Sequence, residues 1–446
     1  MLQLRLPISL VWNYYESRKN TTDTNSFWLY NWGMKLIIPF IFGLVLTACG
    51  GGGSSHDSFS ESSSTYIKTI KSDYSMYVSI VPGKFKNDGN SYVLVAGNHL
   101  DMGGVAPVNI FRLSSNGGGV DVTYEILGSN NIYASSNNPL VADFNNDGID
   151  DIFLPGFVDI ANQYTATQVF LSRPGTNHSR QYLDYTWSHG ASAADLNNDG
   201  NIDVVDSEGK IWINDGRGNF TLKDHSWSNG TLWMHGMGTC VGDFLNNGNK
   251  QIVITDLNID SFTWPINDTA IFELDNNLKP VNRHLLPAPI YDIGNADVRE
   301  KSHDVRCVVA DMNNDGLHDL VVFSRPWAYV RNGWIQEGQI QILINKGNFN
   351  FIDQTNLVGF DSNVDIDYTP VITDFNGDGV LDIWSTSQLL TGKNNQWIRK
   401  KYNQIPNYPV STPVKVNGKW GIVYKKQTDY NKFEIHFTKP ELTIDL

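Results

Sequence analysis

Residues 143–151 set oxygen-bearing side chains at alternate positions of a short loop: Asp143, Asn145 and Asp147 at positions 1, 3 and 5, and Asp151 at position 9. A hard cation such as Ca²⁺ takes about six to eight oxygen ligands, and a tight turn with alternate side chains aimed inward supplies most of them, helped by one backbone carbonyl. Gly148 at position 6 permits the reversal, because glycine adopts positive φ without steric cost. A single loop of this kind would be ordinary turn composition. The pattern recurs at the same offsets in Asp195, Asn197, Asp199, Gly200 and Asp203, in Asp311, Asn313, Asp315, Gly316 and Asp319, and in Asp374, Asn376, Asp378, Gly379 and Asp382. Coincidence does not produce four copies at one spacing.

The elements around the loops are strands. An EF-hand would carry a bidentate Glu at position 12 between two helices. Position 12 is instead Leu154, Asp206, Val322 and Ser385, and apolar β-like residues follow each position 9. Further strands are expected over 168–172, 210–214, 270–274 and 339–345, with Gly-rich hairpin turns at 214–220 and 345–349. Long helical periodicity is absent. Between the second and third loops the spacing doubles, and 243–251 fills the gap with a degenerate copy that keeps Asp243 and Gly248 but has Leu245, Asn247 and Gln251 at ligand positions. Residues 84–92 form a degenerate copy upstream and 417–424 a last relic downstream. Seven units of about 55 residues each have room for four strands apiece.

The segments DFNNDGIDDIFL, DLNNDGNIDVV, DMNNDGLHDLVV and DFNGDGVLDIW, with the trailing IWINDGRGNF and QILINKGNF, resemble FG-GAP or VCBS repeats, the units of integrin-α-type β-propellers. The resemblance implies an all-β fold, a seven-bladed propeller over residues 65–446. It also implies about four Ca²⁺ ions held by Asp143/Asn145/Asp147/Asp151, Asp195/Asn197/Asp199/Asp203, Asp311/Asn313/Asp315/Asp319 and Asp374/Asn376/Asp378/Asp382. The carbonyls of Ile149, Asn201, Leu317 and Val380 would complete the shells. The Gly-Ala-Pro that names the family is missing, and the degenerate units, which lack the carboxylates, are expected to bind no metal.

Met34, Lys35, the apolar stretch 36–46 and Thr47-Ala48-Cys49 read as a signal peptide over 34–48. Leu46-Thr47-Ala48-Cys49 resembles a bacterial lipobox, which implies lipidation of Cys49 and, with Gly50 following, an outer-membrane anchor. Residues 1–33 are then an upstream extension and 49–64 a Gly/Ser tether. The chain carries net charge −14, and its first 48 residues hold four bases and two acids, leaving −16 for the rest. Four divalent ions would halve that, and no basic patch argues for nucleic acid. Cys240 and Cys307 are expected as buried free thiols. They precede their loops by three and four residues and so point to opposite strand faces.

Trp187, His189, His235 and His303 precede their loop aspartates by even offsets, with Asp304 adjacent, which would align them on the innermost strands around a central channel. They either fill that crowded axis or line a ligand pocket. The ten tryptophans from residue 49 onward, among them Trp227, Trp233, Trp264, Trp327 and Trp334, suit sugar stacking and packing between blades equally. Dispersed metal loops read as structural staples, since metal catalysis needs an open coordination position and a polarising partner. The expected function is a calcium-stabilised, membrane-anchored binding or adhesion module for a glycan or protein at the cell envelope. The alternatives are a polysaccharide lyase or hydrolase using His189, His235, His303 and Asp304, and a scaffold subunit of an envelope complex.

Overall fold

A computed structural model describes residues 64–438 except 72–75, 100–104, 135, 137, 157–165, 187, 224–235, 257–268, 288–301, 327–328, 331–332, 335–338, 355–369, 386–387, 394–395, 402–409 and 430–431. The signal segment, Cys49 and the tether up to residue 63 lie outside the described residues, as do Trp187, Trp227, Trp233, His235, Trp264 and Trp327.

Seven antiparallel sheets of four strands follow one another along the chain. Their first strands are Met76–Gly83, Leu140–Ala142, Ala191–Ala194, Gly236–Gly242, Ser302–Ala310, Val371–Thr373 and Ser411–Val416, and blades 1 to 7 are numbered in that order. The ring is closed by the beginning of the chain. Ser64–Lys71 pairs antiparallel with Lys432–Thr438 as the outermost strand of blade 7, so the first strand and the last repeat share one ladder of hydrogen bonds. The compact unit runs Phe59–Leu446, and its first strand opens at the last residue assigned to the tether. The one helix among the described residues, Thr123–Leu127, ends on Gly128 in the left-handed conformation at φ 70° and links blades 1 and 2.

Each blade is covered by a neighbour on both faces, which explains the sequence texture. Second strands such as Asp151–Leu154 and Asp203–Asp206 are buried at every residue, whereas the outer strand Phe220–Lys223 alternates half-buried and exposed. The apolar core is correspondingly divided into seven clusters, one in each seam. Between blades 2 and 3, for instance, Phe144 and Phe153 pack edge to face with Phe220, and Trp212 packs edge to face with Phe153. Such arrangements add to the burial of apolar area. Trp384, Trp397 and Trp420 likewise fill the seams on either side of blade 6. These tryptophans serve packing.

Cys240 and Cys307 are bonded to each other, with their Cα atoms 5.8 Å apart, which corrects the expectation of free thiols. Neighbouring blades present opposite faces to a shared seam, so cysteines on opposite faces of their own strands meet between blades 4 and 5.

Candidate metal centres

All four carboxylate-bearing loops lie where predicted, between the first and second strands of blades 2, 3, 5 and 6. Strands flank each of them. The backbone turns through two left-handed positions: position 6, as the glycines required, and position 4. Position 4 is Asn146, Asn198 and Asn314 at φ 58–59°, and Gly377 at 79°. The second of these was legible in retrospect, because Asn and Gly are the residues that tolerate this region.

One network of hydrogen bonds is repeated around each turn. In the blade 5 loop, the amides of Asp315 and Gly316 donate to the two carboxylate oxygens of Asp311 at 3.0 and 2.9 Å, and the Asp315 amide also donates to Asn313 Oδ1 at 2.9 Å. Asp195 and Asn197, Asp143 and Asn145, and Asp374 and Asn376 accept the equivalent bonds. Because the side chains at positions 1 and 3 accept the same N–H, their oxygens are held close together. Positions 3 and 5 are also joined: Asn197, Asn313 and Asn376 donate through Nδ2 to Asp199, Asp315 and Asp378 at 2.9–3.1 Å.

Position 9 is the buried member. Asp151, Asp203, Asp319 and Asp382 are fully inaccessible. In each, one oxygen accepts the amide of position 2 (Phe144, Leu196, Met312, Phe375) at 2.8–3.0 Å. The other accepts an amide from the end of the third strand: Ser172 at 2.6 Å, Asn214 at 2.9 Å, Asn345 at 2.8 Å and Gly392 at 2.9 Å. Burial raises all four carboxyls, to about 6 for Asp151, Asp203 and Asp319, opposed by these amides and reinforced by the other loop carboxylates.

The third-strand residues were missed by sequence reasoning, which saw only hairpin turns in the segments that Asn214 and Asn345 begin. Asn214 Nδ2 donates to Ile202 O in its own loop at 3.0 Å and to Phe144 O in blade 2 at 2.7 Å. Asn345 does the same with His318 O and with Phe244 O of blade 4. In blade 2, Ser172 Oγ donates to Asp147 Oδ2 at 2.7 Å while its amide meets Asp151, tying two loop carboxylates to one residue. Asn146 reaches Asn201 and Gly216 of blade 3, and Asn314 reaches Gly379 of blade 6. Each loop is therefore part of a seam.

The donor set is all oxygen, with three carboxylates, an amide oxygen and the carbonyls of Ile149, Asn201, Leu317 or Val380 in every loop. Each carboxylate oxygen that accepts one N–H keeps a further lone pair, so the residues fit a hard cation. Among the described residues, no three His, Cys, Asp or Glu side chains are gathered into a ready-made metal cluster. The degenerate blade 4 loop keeps the same frame. The amides of Asn247 and Gly248 donate to Asp243, and Gln251 Oε1 takes the Phe244 amide at 2.8 Å where the others have a carboxylate. In blade 1 the turn is held by Asp88, which accepts Tyr92 OH at 2.5 Å, and in blade 7 it shrinks to Asn417-Gly418, both left-handed.

Of the proposed axial constellation, only His189 has a described side chain. His189 is half-buried and precedes its strand, its amide bonded to Ser207 Oγ at 3.1 Å. The pairing of the first two strands shifts register between Gly236 and Thr239 in blade 4 and between Asp304 and Arg306 in blade 5. The side chains of His303 and Asp304, like those of His235 and Trp187, lie outside the described residues.

A family model described as FG-GAP-like repeat matches residues 311–385, which span the blade 5 and blade 6 loops. No curated protein matches the chain. Among solved structures, an ancestral GH74 enzyme is similar at 9% identity and a TM-score of 0.44, over 86% of this chain and 52% of that one, so this chain spans about half its length. Two exo-beta-1,3-galactanases are also similar. The one from Clostridium thermocellum has 11% identity and a TM-score of 0.33, over 83% of this chain and 87% of that one. The one from Phanerochaete chrysosporium has 8% identity and a TM-score of 0.32, over 84% and 97% respectively. Likeness of this degree carries no argument about activity. Residues 311–385 thus match the FG-GAP-like repeat model, and the seven four-stranded sheets with their repeated loop frame make the chain a seven-bladed β-propeller.

Proposed function

We propose that the loops of blades 2, 3, 5 and 6 each hold one Ca²⁺ and that the propeller so pinned is a binding module for a glycan or protein, lipid-anchored through Cys49 at the outer membrane. The observation that carries this reading is one hydrogen-bonded frame repeated with oxygen donors at the same places in four blades, each frame bonded across a seam or joined to one through position 2. Three carboxylates in one small loop repel one another, and a divalent ion turns that repulsion into stability. When bound, calcium supplies counter-charge and cross-linking, and the chain's own residues do the rest. Positions 1, 3, 5 and 9 bind, the position 5 and 6 amides orient, and Ser172, Asn214, Asn345 and Gly392 fix the buried carboxylate.

Metal analysis of the purified protein tests the first half, with about four calcium ions per chain expected. Screening the calcium-loaded protein against immobilised glycans and envelope proteins tests the second, and mass spectrometry of the N-terminal peptide tests lipidation of Cys49. A metal-free protein that melts identically in calcium and in chelator would defeat the staple reading. Release of shortened products from a bound polysaccharide would replace the binding module with an enzyme.

A further inference from the structure

The seam between blades 1 and 2 differs from the others on the loop face. Blade 1 has a degenerate turn whose Lys84 reaches blade 2, its amide donating to Asp150 Oδ2 at 2.6 Å and its Nζ to Gly148 O at 2.8 Å. Asn87 at position 4, like Asn198 and Asn246, makes no bond among the described residues of the kind that Asn146 and Asn314 make across their seams. The connection between third and fourth strands is also longer here: residues 172–178 in blade 2, against 215–219, 275–279 and 346–350 in blades 3, 4 and 5. A cleft of about 610 Å³ results, lined by the blade 1 turn, by the helix Thr123–Leu127, by Asp147 and Ile149 of the metal loop, and by the long blade 2 connection. That volume suits a small ligand.

Most polar groups in the lining are committed. Lys86 pairs with Glu125, and Asp88 holds Tyr92 OH and the Asn90 amide. Asn177 Nδ2 donates to the carbonyls of Tyr124 and Glu125 at 3.2 and 2.7 Å. Two groups are not. Arg173 is exposed and makes no side-chain hydrogen bond or ion pair among the described residues. His178 Nε2 lies 3.2 Å from Asp150 O, and since a carbonyl only accepts, Nε2 carries the proton and Nδ1 is left as an acceptor. The ring is buried edge to face against Phe85, and that burial favours its neutral form. Phe85, Ile126 and Pro174 supply apolar surface.

We infer that this cleft is the ligand site of the module and takes one hexuronate residue of an acidic polysaccharide. The inference rests on the binding-module reading. The planar fork of Arg173 matches a carboxylate, His178 Nδ1 accepts a sugar hydroxyl, and the apolar surface meets the C–H face of the ring. The chain as a whole is acidic at −14, so a polyanion gains nothing from its long-range field and the recognition is local.

Calorimetric titration of the calcium-loaded full chain, at fixed free calcium, tests this with a short oligogalacturonate and with the same oligosaccharide after carboxyl reduction. The uronide binds, and the reduced form binds at least about tenfold more weakly. Arg173→Ala weakens the uronide by at least about tenfold and leaves the reduced form unchanged. Arg217→Ala, at an exposed arginine of the corresponding blade 3 turn, changes neither. Equal affinity for the two oligosaccharides, or full uronide affinity in Arg173→Ala, overturns the assignment and leaves the binding-module reading standing. No uronide binding by the unmodified protein also overturns it, and the binding-module reading falls with it only when the wider glycan and protein screen is empty too.

Discussion

The turns of blades 4 and 5 follow one backbone path with different fillings. In blade 5, Asp311, Asp315 and Asp319 surround the loop, and Asn345 ties it to blade 4. In blade 4, Asp243 keeps its two amides, Gln251 replaces the buried carboxylate, and Leu274 closes the third strand where blades 3 and 5 have asparagine. Asp243 N donates to His318 Nδ1 at 2.9 Å, and the Cys240–Cys307 bond crosses the same seam. The shape of the turn thus comes from backbone amides meeting side-chain oxygens, charged or neutral. On the calcium reading proposed above, the carboxylates add a demand for a cation, and the blade 4 turn, which has one carboxylate, is joined to blade 5 by a covalent link and an imidazole.

The comparison breaks most visibly under chelation. Each site held at about 100 times its dissociation constant contributes roughly 2.7 kcal/mol, so removing calcium from four loops should lower the melting midpoint by about 10 °C or more. A melt that does not move would mean the blade 5 filling is no more ion-dependent than the blade 4 one.

The complementary cut is Cys240→Ala with Cys307→Ala. Loss of a link closing this length of chain should cost about 2–4 kcal/mol by chemical denaturation. Because the link stands in for metal only in its own seam, the cost should be the same with calcium or chelator present. A cost confined to one condition would show the two staples to be coupled.

The sharper test converts one region into the other. Leu245→Asn, Asn247→Asp and Gln251→Asp together restore the oxygen set in a frame already formed. This triple variant should bind one calcium beyond the parent's number and gain about 2–3 kcal/mol in excess calcium. Titration of the parent's number of ions would show that the frame and the donors are not sufficient.

Acidification gives the smallest effect and the most telling sign. The folded values of about 6 for Asp151, Asp203 and Asp319 lie above the ordinary 3.8. In chelator, the stability these groups contribute is present at low pH and lost as pH rises through about 6, so the midpoint should climb on going from about pH 7 to pH 5. In excess calcium, protons compete with the ion at the same carboxylates and the midpoint should fall over that interval. Parallel slopes in the two conditions would sink the assignment of these groups as ligands.

Much of the architecture was legible in the residues. The loop offsets located the first-to-second strand turn of six blades, and Asn417-Gly418 marked the seventh. Residues 270–274 and 339–345 were read as strands with the bounds that the fold gives them. What could not be read were partners distant in sequence. Ser64–Lys71 shows nothing in itself that assigns it to the last repeat. Asn214 and Asn345 look like turn residues until the neighbouring blade supplies the carbonyl that each amide meets.

The sequence by itself determined the repeat, the strand–loop–strand character of each turn and the chemistry of the donor atoms, because these depend on local spacing and side-chain type. The tertiary structure decided which faces meet. It joined Cys240 to Cys307, divided the core among the seams, closed the ring with the first strand and opened a cleft between blades 1 and 2. The physical reason is that a blade's two faces are equivalent in its own periodicity and become distinct only when the adjoining blades are packed against them.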